Sequence, residues 1–387
     1  MQRRLKLHGK NHGIYYREEK NVDYQSLIRK EILAIAPYVP GKPIEEVKRE
    51  FGIQDVIKLA SNENPLGPSP KAIKAVQEML DEAHLYPDGG CFSLKEALGK
   101  ELGVKTDQII VGNGSDEIIK LFAEAFFQPE DEIVVADPTF GEYAYATRLM
   151  GARLIKVKGE GLGHDLEKMA QAVTSRTKAV FICNPNNPTG TMNTQEELER
   201  FLQQLPPDIL VVIDQAYLEY VENPDFPDGL DYISDGRVLV LRTFSKIYGL
   251  AALRVGYGVG SRELISYLER VREPFNVNRL AQAAAIAALD DREHLELSKK
   301  VNNKEKQVIY TTLEQLGLGF LPSETNFILF STPFSATSVF QVLLKKGVII
   351  RSADIFGLPK HLRVTVGTEE QNQRFLHSLR EALTELR

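Results

Sequence analysis

Between about residue 60 and residue 260, short β-rich apolar runs alternate with longer segments of helical spacing. This alternation restricts the fold to a mostly parallel sheet covered by helices on both faces. The runs are Gln108–Val111, Glu132–Ala136, Ala179–Cys183, Ile209–Ile213, Val238–Leu241 and Val255–Val259. After the first run, Ile118, Ile119, Phe122 and Phe126 recur on one helix face until Pro129 ends the pattern, so the unit is strand, glycine turn, helix. Past Pro274 come an Ala-rich helix at Leu280–Leu289, a strand at Asn326–Phe330, a further helix, and short runs at Val348–Arg351 and Leu362–Val366. These read as a smaller α+β domain. Residues 1–60 carry Pro37, Pro40 and Pro43 and little apolar pattern, and read as an N-terminal tail and arm. The expected division is thus 1–60 arm, 61–273 large domain carrying the site, and 274–387 small C-terminal domain.

Composition narrows the ligand. With 387 residues, 43% hydrophobic and 26% charged, the chain has the make-up of a soluble globular protein with room for both domains. No apolar run reaches membrane-spanning length, so no membrane partner is expected. A net charge of −6 leaves no basic footprint for nucleic acid, which makes a small molecule the expected partner. Cys91 and Cys183 stand far apart, outside any Cys-x-x-Cys pattern, so neither a disulfide framework nor a structural zinc site is supported. The basic start (Arg3, Arg4, Lys6, Lys10, Arg17, Lys20) precedes no apolar core of a signal peptide, and the expected location is cytoplasmic. His8 and His12 stand four apart, but Gly9 and Gly13 argue against a helix that would pair them, and no metal is expected.

Chemistry in such a sheet sits at the carboxyl ends of its strands. Gly112-Asn113-Gly114-Ser115-Asp116 follows the first run and opens a helix, where backbone N–H groups can cradle a phosphate. Glu117 occupies the place of the third glycine of a dinucleotide fingerprint, and no Gly-Lys-Ser/Thr follows, which disfavours a nicotinamide enzyme or an ATPase. Asp214 follows an apolar strand, where a carboxylate needs a cation or hydrogen bonds to stay charged. Lys246 follows another strand in Thr243-Phe244-Ser245-Lys246, with Arg254 eight residues on. A lysine desolvated beside another cation becomes a nucleophile toward carbonyls. Asn184-Pro185-Asn186-Asn187-Pro188-Thr189-Gly190 fixes an unusual turn that presents Asn187.

Taken in this order, with Phe140 after its strand and Tyr217 beside Asp214, the motifs resemble those of fold-type I pyridoxal 5'-phosphate-dependent aminotransferases. The closest resemblance is to the histidinol-phosphate aminotransferase family. It runs from about Tyr38 to the C-terminus through Ser61-Asn62-Glu63-Asn64-Pro65, Tyr86-Pro87, Asp137-Pro138-Thr139-Phe140 and Leu362-Arg363-Val364-Thr365-Val366-Gly367.

The resemblance implies that Lys246 holds the cofactor aldehyde covalently and that Asp214 pairs with the pyridine nitrogen. Tyr217 and Asn187 would bind the phenolate oxygen, and Phe140 would stack on the ring. Ser115, Asp116, Thr243, Ser245 and Arg254 would hold the phosphate, and Tyr86 would reach the phosphate of a neighbouring subunit in a homodimer. Arg363, with Arg351, Tyr38 and Asn64, would bind substrate. The implied reaction is transamination between histidinol phosphate and 2-oxoglutarate in histidine biosynthesis. Gln215 stands where a glutamate commonly follows the aspartate, and Phe140 where some members have tyrosine. Pocket residues that sequence does not locate leave three alternatives: an aromatic amino acid aminotransferase, a threonine-phosphate decarboxylase, and a catalytically silent ligand-binding homologue.

Overall fold

The computed structural model describes residues 22–33, 35–37, 41–159 and 161–387. The basic start of the chain, His8, His12 and Tyr38 lie outside the described residues. A two-residue strand, β1 (Ile57–Lys58), precedes seven strands of one sheet: β2 (Ile109–Gly112), β3 (Glu132–Asp137), β4 (Arg153–Lys158), β5 (Thr177–Cys183), β6 (Leu210–Asp214), β7 (Val238–Thr243) and β8 (Gly256–Gly260). Their spatial order is β2-β8-β7-β6-β5-β3-β4. The expected α/β architecture with a mostly parallel central sheet is present, and β4 adds a strand beyond the six expected. Its Arg-Leu-Ile-Lys-Val-Lys sequence is half exposed, as suits an edge strand guarded by lysines.

Strands β3 to β7 pair in parallel, whereas β8 runs against both of its neighbours. Parallel neighbours need a crossover element, but the link from Thr243 to Gly256 contains only a short 3-10 turn at Ala251–Leu253. The chain therefore returns directly beside β7. As a consequence β8 begins at the edge where β2 and β7 end, with Gly256 paired to both Gly112 and Thr243. Arg254, two residues before β8, is thereby delivered to the same edge as Lys246.

The buried strands divide their side chains by the period of two. Phe181, Val212, Leu239 and Leu241 face the helix Ser115–Phe126, which turns in Ile118, Ile119 and Phe122. Val180, Ile182, Val211, Ile213, Val238 and Val240 join Leu198 and Phe201 of the helix Gln195–Gln204. Each such side chain contributes roughly 1.5–3 kcal/mol on burial, which is why these strands read as continuous apolar runs.

The change of core comes later than residue 274. The Ala-rich helix, Arg279–Leu289, packs through Ala281, Ala284, Ala285 and Ala288 into the cluster of Ala72, Leu94 and Leu98, on helices Pro70–Met79 and Phe92–Leu102 of the large body. Alanines allow close approach to almost any helix, so their sequence carries no sign of which core they join. The second core instead gathers Ile309, Leu313, Phe330, Val339, Leu343, Val364, Phe375 and Leu379. Its strands are β9 (Phe327–Ser331), β10 (Val348–Ile349), β11 (Arg351–Ser352) and β12 (His361–Thr365). The run Val348–Arg351 is thus two strands: β10 pairs with β1, and β11 joins an antiparallel β11-β12-β9 sheet.

Part of the expected arm also belongs to this second body. In the helix Ile44–Phe51, residues Ile44, Val47 and Phe51 share one face and pack with Ala60, Leu344 and Ile349. The prolines before this helix obscure its short repeat. No helix among the described residues is long and apolar enough to cross a membrane.

Candidate active site

At the shared strand edge, Gly114 caps the helix Ser115–Phe126 with a φ of +85°. A Cβ there would lie 2.5 Å from Arg254 Nη2, and a Cβ on Gly256 would lie 2.5 Å from Ser115 N. Only glycine lets helix start, strand start and guanidinium converge this closely. Arg254 adopts a left-handed φ of +55°, and its Nη1 donates to Ser245 Oγ at 3.3 Å while Nη2 donates to Asp116 Oδ2 at 3.1 Å. Thr243 Oγ1 accepts the Ser245 N–H at 3.1 Å. The backbone N–H groups of Ser115 and Asp116, with the side chains of Thr243, Ser245 and Arg254, thus gather donors at a helix N-terminus, which suits a phosphate.

Asp214 ends β6 with 3% of its surface exposed. Its Oδ2 accepts from Tyr143 Oη at 2.7 Å and its Oδ1 from the Ala216 N–H at 3.1 Å. Burial raises its carboxyl from 3.8 to about 6, against the opposing pull of these two donors. Such a carboxylate needs a cation. Tyr143, stacked on Phe181 at 4.7 Å, escaped the sequence reading because it lies within the helix Gly141–Leu149, one turn beyond Phe140, rather than at a strand end. Phe140 meets the Tyr143 ring edge-on at 5.6 Å.

Lys246 Nζ stands 5.6 Å from the centre of the Tyr217 ring. Burial, then the charge of Arg363, depresses its amine from 10.5 to about 8, with Asp116 pulling the other way and Arg254 adding to the drop. Arg363, buried in β12, donates through Nη1 to Asn187 Oδ1 and through Nη2 to the Ala60 carbonyl at 3.0 Å, above the ring of Phe327 at 5.0 Å. Arg351 is its cross-strand partner on β11, so the two guanidinium-bearing residues share one face of the small sheet.

A buried amine of lowered basicity, a buried carboxylate and a polar cluster at a helix N-terminus, gathered on one sheet edge, agree with the outcome of comparison with known proteins. The family described as aminotransferase class I and II matches residues 54–379. The chain belongs to this family. A histidinol-phosphate aminotransferase of Moorella thermoacetica is 57% identical over 357 residues, covering 92% of both chains. One of Caldicellulosiruptor saccharolyticus is 49% identical over 92% of this chain and 100% of its own. The crystal structure of histidinol-phosphate aminotransferase from Sinorhizobium meliloti in complex with pyridoxal-5'-phosphate superposes with a TM-score of 0.87 at 27% identity, covering 94% of this chain and 99% of that one. The motif resemblance is thereby borne out.

Within this class I and II aminotransferase, the surroundings of three further motif residues are defined. Asn64 has its side chain engaged within the fold: its Nδ2 donates to the Ile247 carbonyl at 2.6 Å and to Ser298 Oγ at 2.9 Å, and its Oδ1 accepts the Leu66 N–H at 3.0 Å. It fastens the peptide after Lys246, and Asn62, two residues earlier, is the asparagine that reaches Tyr217. Gln215 turns away from Asp214, donating to the Pro227 carbonyl at 2.8 Å and accepting from the Gly229 N–H and Arg242. A glutamate carboxylate could not donate to Pro227, so the amide is suited to this neighbourhood. Tyr86 is 78% exposed and stacks on Phe275 at 4.8 Å.

The depressed lysine carries a prediction for cofactor loading. Only the neutral amine attacks an aldehyde, and its fraction rises with pH through about 8. Mixing apoprotein with pyridoxal phosphate is expected to give a covalent loading rate that climbs with pH through a midpoint of about 8 and levels off roughly one unit above it. Stopped-flow absorbance measures it; a rate still climbing toward pH 10 would mean that Lys246 is not desolvated.

Proposed function

We propose that this chain exchanges an amino group between histidinol phosphate and 2-oxoglutarate, as a step of histidine biosynthesis, with pyridoxal 5'-phosphate held at Lys246. The observation that carries the substrate is Arg363, buried near the lysine whose amine its charge lowers, with Arg351 opposite it on the neighbouring strand. A planar guanidinium recognises a substrate phosphate or carboxylate with bidentate hydrogen bonds. Tyr38 is proposed for the same anion.

The residues fit the cofactor, because the donor cradle at Gly114 and Gly256 takes a phosphate only where no Cβ fills it. When bound, pyridoxal phosphate supplies an aldehyde and an electron-withdrawing ring. Ser115, Asp116, Thr243, Ser245 and Arg254 hold its phosphate, and Asp214 takes the ring N–H. Asn187 has its Oδ1 committed to Arg363, so its amide nitrogen is the donor it offers the phenolate oxygen beside Tyr217 Oη. Phe140 covers the ring face and excludes water. Lys246, neutral above about pH 8, takes the proton from the substrate α-carbon.

A homodimer is proposed as the working unit, since Leu85, Tyr86, Phe92 and Phe275 expose large apolar side chains around the tyrosine that would serve a neighbouring subunit. Two free, buried cysteines suit a reducing cytoplasm.

Arg363→Ala tests the substrate. A lost bidentate pair of charged hydrogen bonds should lower kcat/KM for histidinol phosphate by at least about 10²-fold. Lysine should restore little, since it lacks the planar fork. Histidinol without its phosphate should be penalised much less, which separates lost recognition from a disturbed Asn187. A panel of amino donors with 2-oxoglutarate completes the test. Glutamate formation marks a transaminase, carbon dioxide a decarboxylase, and neither a binder, while preference for phenylalanine or tyrosine would install the aromatic reading.

A further inference from the structure

We propose that Asn62 is a positioning residue for Tyr217: by donating its side-chain amide to the Tyr217 hydroxyl, it turns that hydroxyl's single hydrogen toward the cofactor's phenolate oxygen. The inference rests on the role proposed above for Tyr217 and adds the group that dictates the direction of its hydrogen bond.

Asn62 Nδ2 lies 2.8 Å from Tyr217 Oη, both side chains being buried. The amide's orientation follows from its other end. Thr365 Oγ1 accepts the Asn62 backbone N–H at 2.9 Å, so its own hydrogen needs an acceptor, and Asn62 Oδ1 stands 3.2 Å away. With the oxygen held by Thr365, the nitrogen faces the tyrosine. Asn326 Nδ2 donates to the Asn62 carbonyl at 2.9 Å, completing a set in which every polar group of Asn62 is engaged. These contacts hold the residue at a φ of +57°, a left-handed conformation that asparagine tolerates better than most residues and that persists where surroundings enforce it.

A tyrosine hydroxyl has one hydrogen and two lone pairs. Asn62 occupies a lone pair, which leaves the hydrogen for an acceptor on the pocket side. Burial is the main influence raising the Tyr217 phenol, and both the Arg363 charge and the Asn62 amide oppose it, making the hydroxyl a better donor. Thr365 belongs to β12 and Asn326 directly precedes β9, so Asn62 also links the second core to a tyrosine of the large body.

The test is the pH midpoint of the visible absorption change of the holoenzyme, compared among the parent, Tyr217→Phe, Asn62→Asp and Asn62→Gly. A donor at the phenolate oxygen draws off negative charge that otherwise holds a proton at the lysine linkage, so its loss raises the midpoint. Asn62→Asp keeps the size and the left-handed tolerance but offers acceptors that pull the tyrosine hydrogen away. It should move the midpoint upward by about 0.5 to 1 pH unit, the scale of one net hydrogen bond, in the same direction as Tyr217→Phe. Asn62→Gly is at ease at this φ, removes the donor along with the acceptor of the Thr365 hydroxyl but introduces no acceptor for the tyrosine hydrogen, and should shift the midpoint less. If Asn62→Asp does not fold, the glycine variant decides alone. Should Tyr217→Phe shift the midpoint while the Asn62 variants titrate like the parent and only melt earlier, Asn62 is structural and the proposal is overturned. If Tyr217→Phe itself leaves the midpoint in place, the role of Tyr217 fails, and the proposal with it.

Discussion

Lys246→Ala is expected to lower turnover by at least about 10²- to 10⁴-fold, the contribution of a positioned proton-transfer group, and to bind pyridoxal phosphate only noncovalently. The amine is held over the Tyr217 ring between Arg363, Arg254 and Asp116, and burial with the neighbouring cations lowers it to about 8. Borohydride reduction of the parent holoenzyme followed by peptide mapping should place the pyridoxyl label on Lys246. Lys306 is the competitor to watch, because burial also lowers its amine. Its Nζ, however, donates to the Ser323 carbonyl at 2.7 Å, at the foot of the second core. A label on Lys306 or any other lysine would remove Lys246 from its proposed place, as would an alanine variant with near-parent turnover.

What sequence could read here was whatever sits at the end of a buried strand. Asp214, Asn187 and Lys246 each follow a run that is apolar on both faces, and the glycines and prolines that stop those runs mark the sheet edge where ligands bind. Tyr143 was illegible for the opposite reason: it reaches Asp214 from within a helix, and helical spacing does not say which side chain turns toward a strand end. Asn62 and Asn64 share one motif, and only the left-handed backbone at Asn62 determines which of them faces Tyr217. The Ala-rich helix could not announce its partner, since small side chains fit several surfaces. Val348–Arg351 read as one strand because a change of sheet at Ile350 leaves the apolar pattern unbroken.

Asp214→Asn should reduce turnover by at least about 10²- to 10³-fold, the scale of losing one preorganised electrostatic partner. The isosteric amide can keep both local contacts, its oxygen accepting from Ala216 and its nitrogen donating to Tyr143 Oη. What it removes is the charge. Burial raises the Asp214 carboxyl from 3.8 to about 6, so between those values folded apoprotein holds a proton that the unfolded chain has released. By linkage, apoprotein stability therefore falls as pH rises through this window, and the loss persists above about 6. A cationic ring nitrogen opposite the carboxylate offsets that loss. It follows that the asparagine apoprotein should melt no lower than the parent apoprotein above about pH 6, while gaining much less stability from pyridoxal phosphate. Parent cofactor affinity should weaken as pH drops below about 6, where protonation removes the partner charge, and the variant's should not follow. Thermal melts of apo and loaded forms across pH measure both effects. Equal gains from the cofactor in parent and variant would mean that Asp214 does not face the ring nitrogen, and near-parent turnover would remove it from the chemistry altogether.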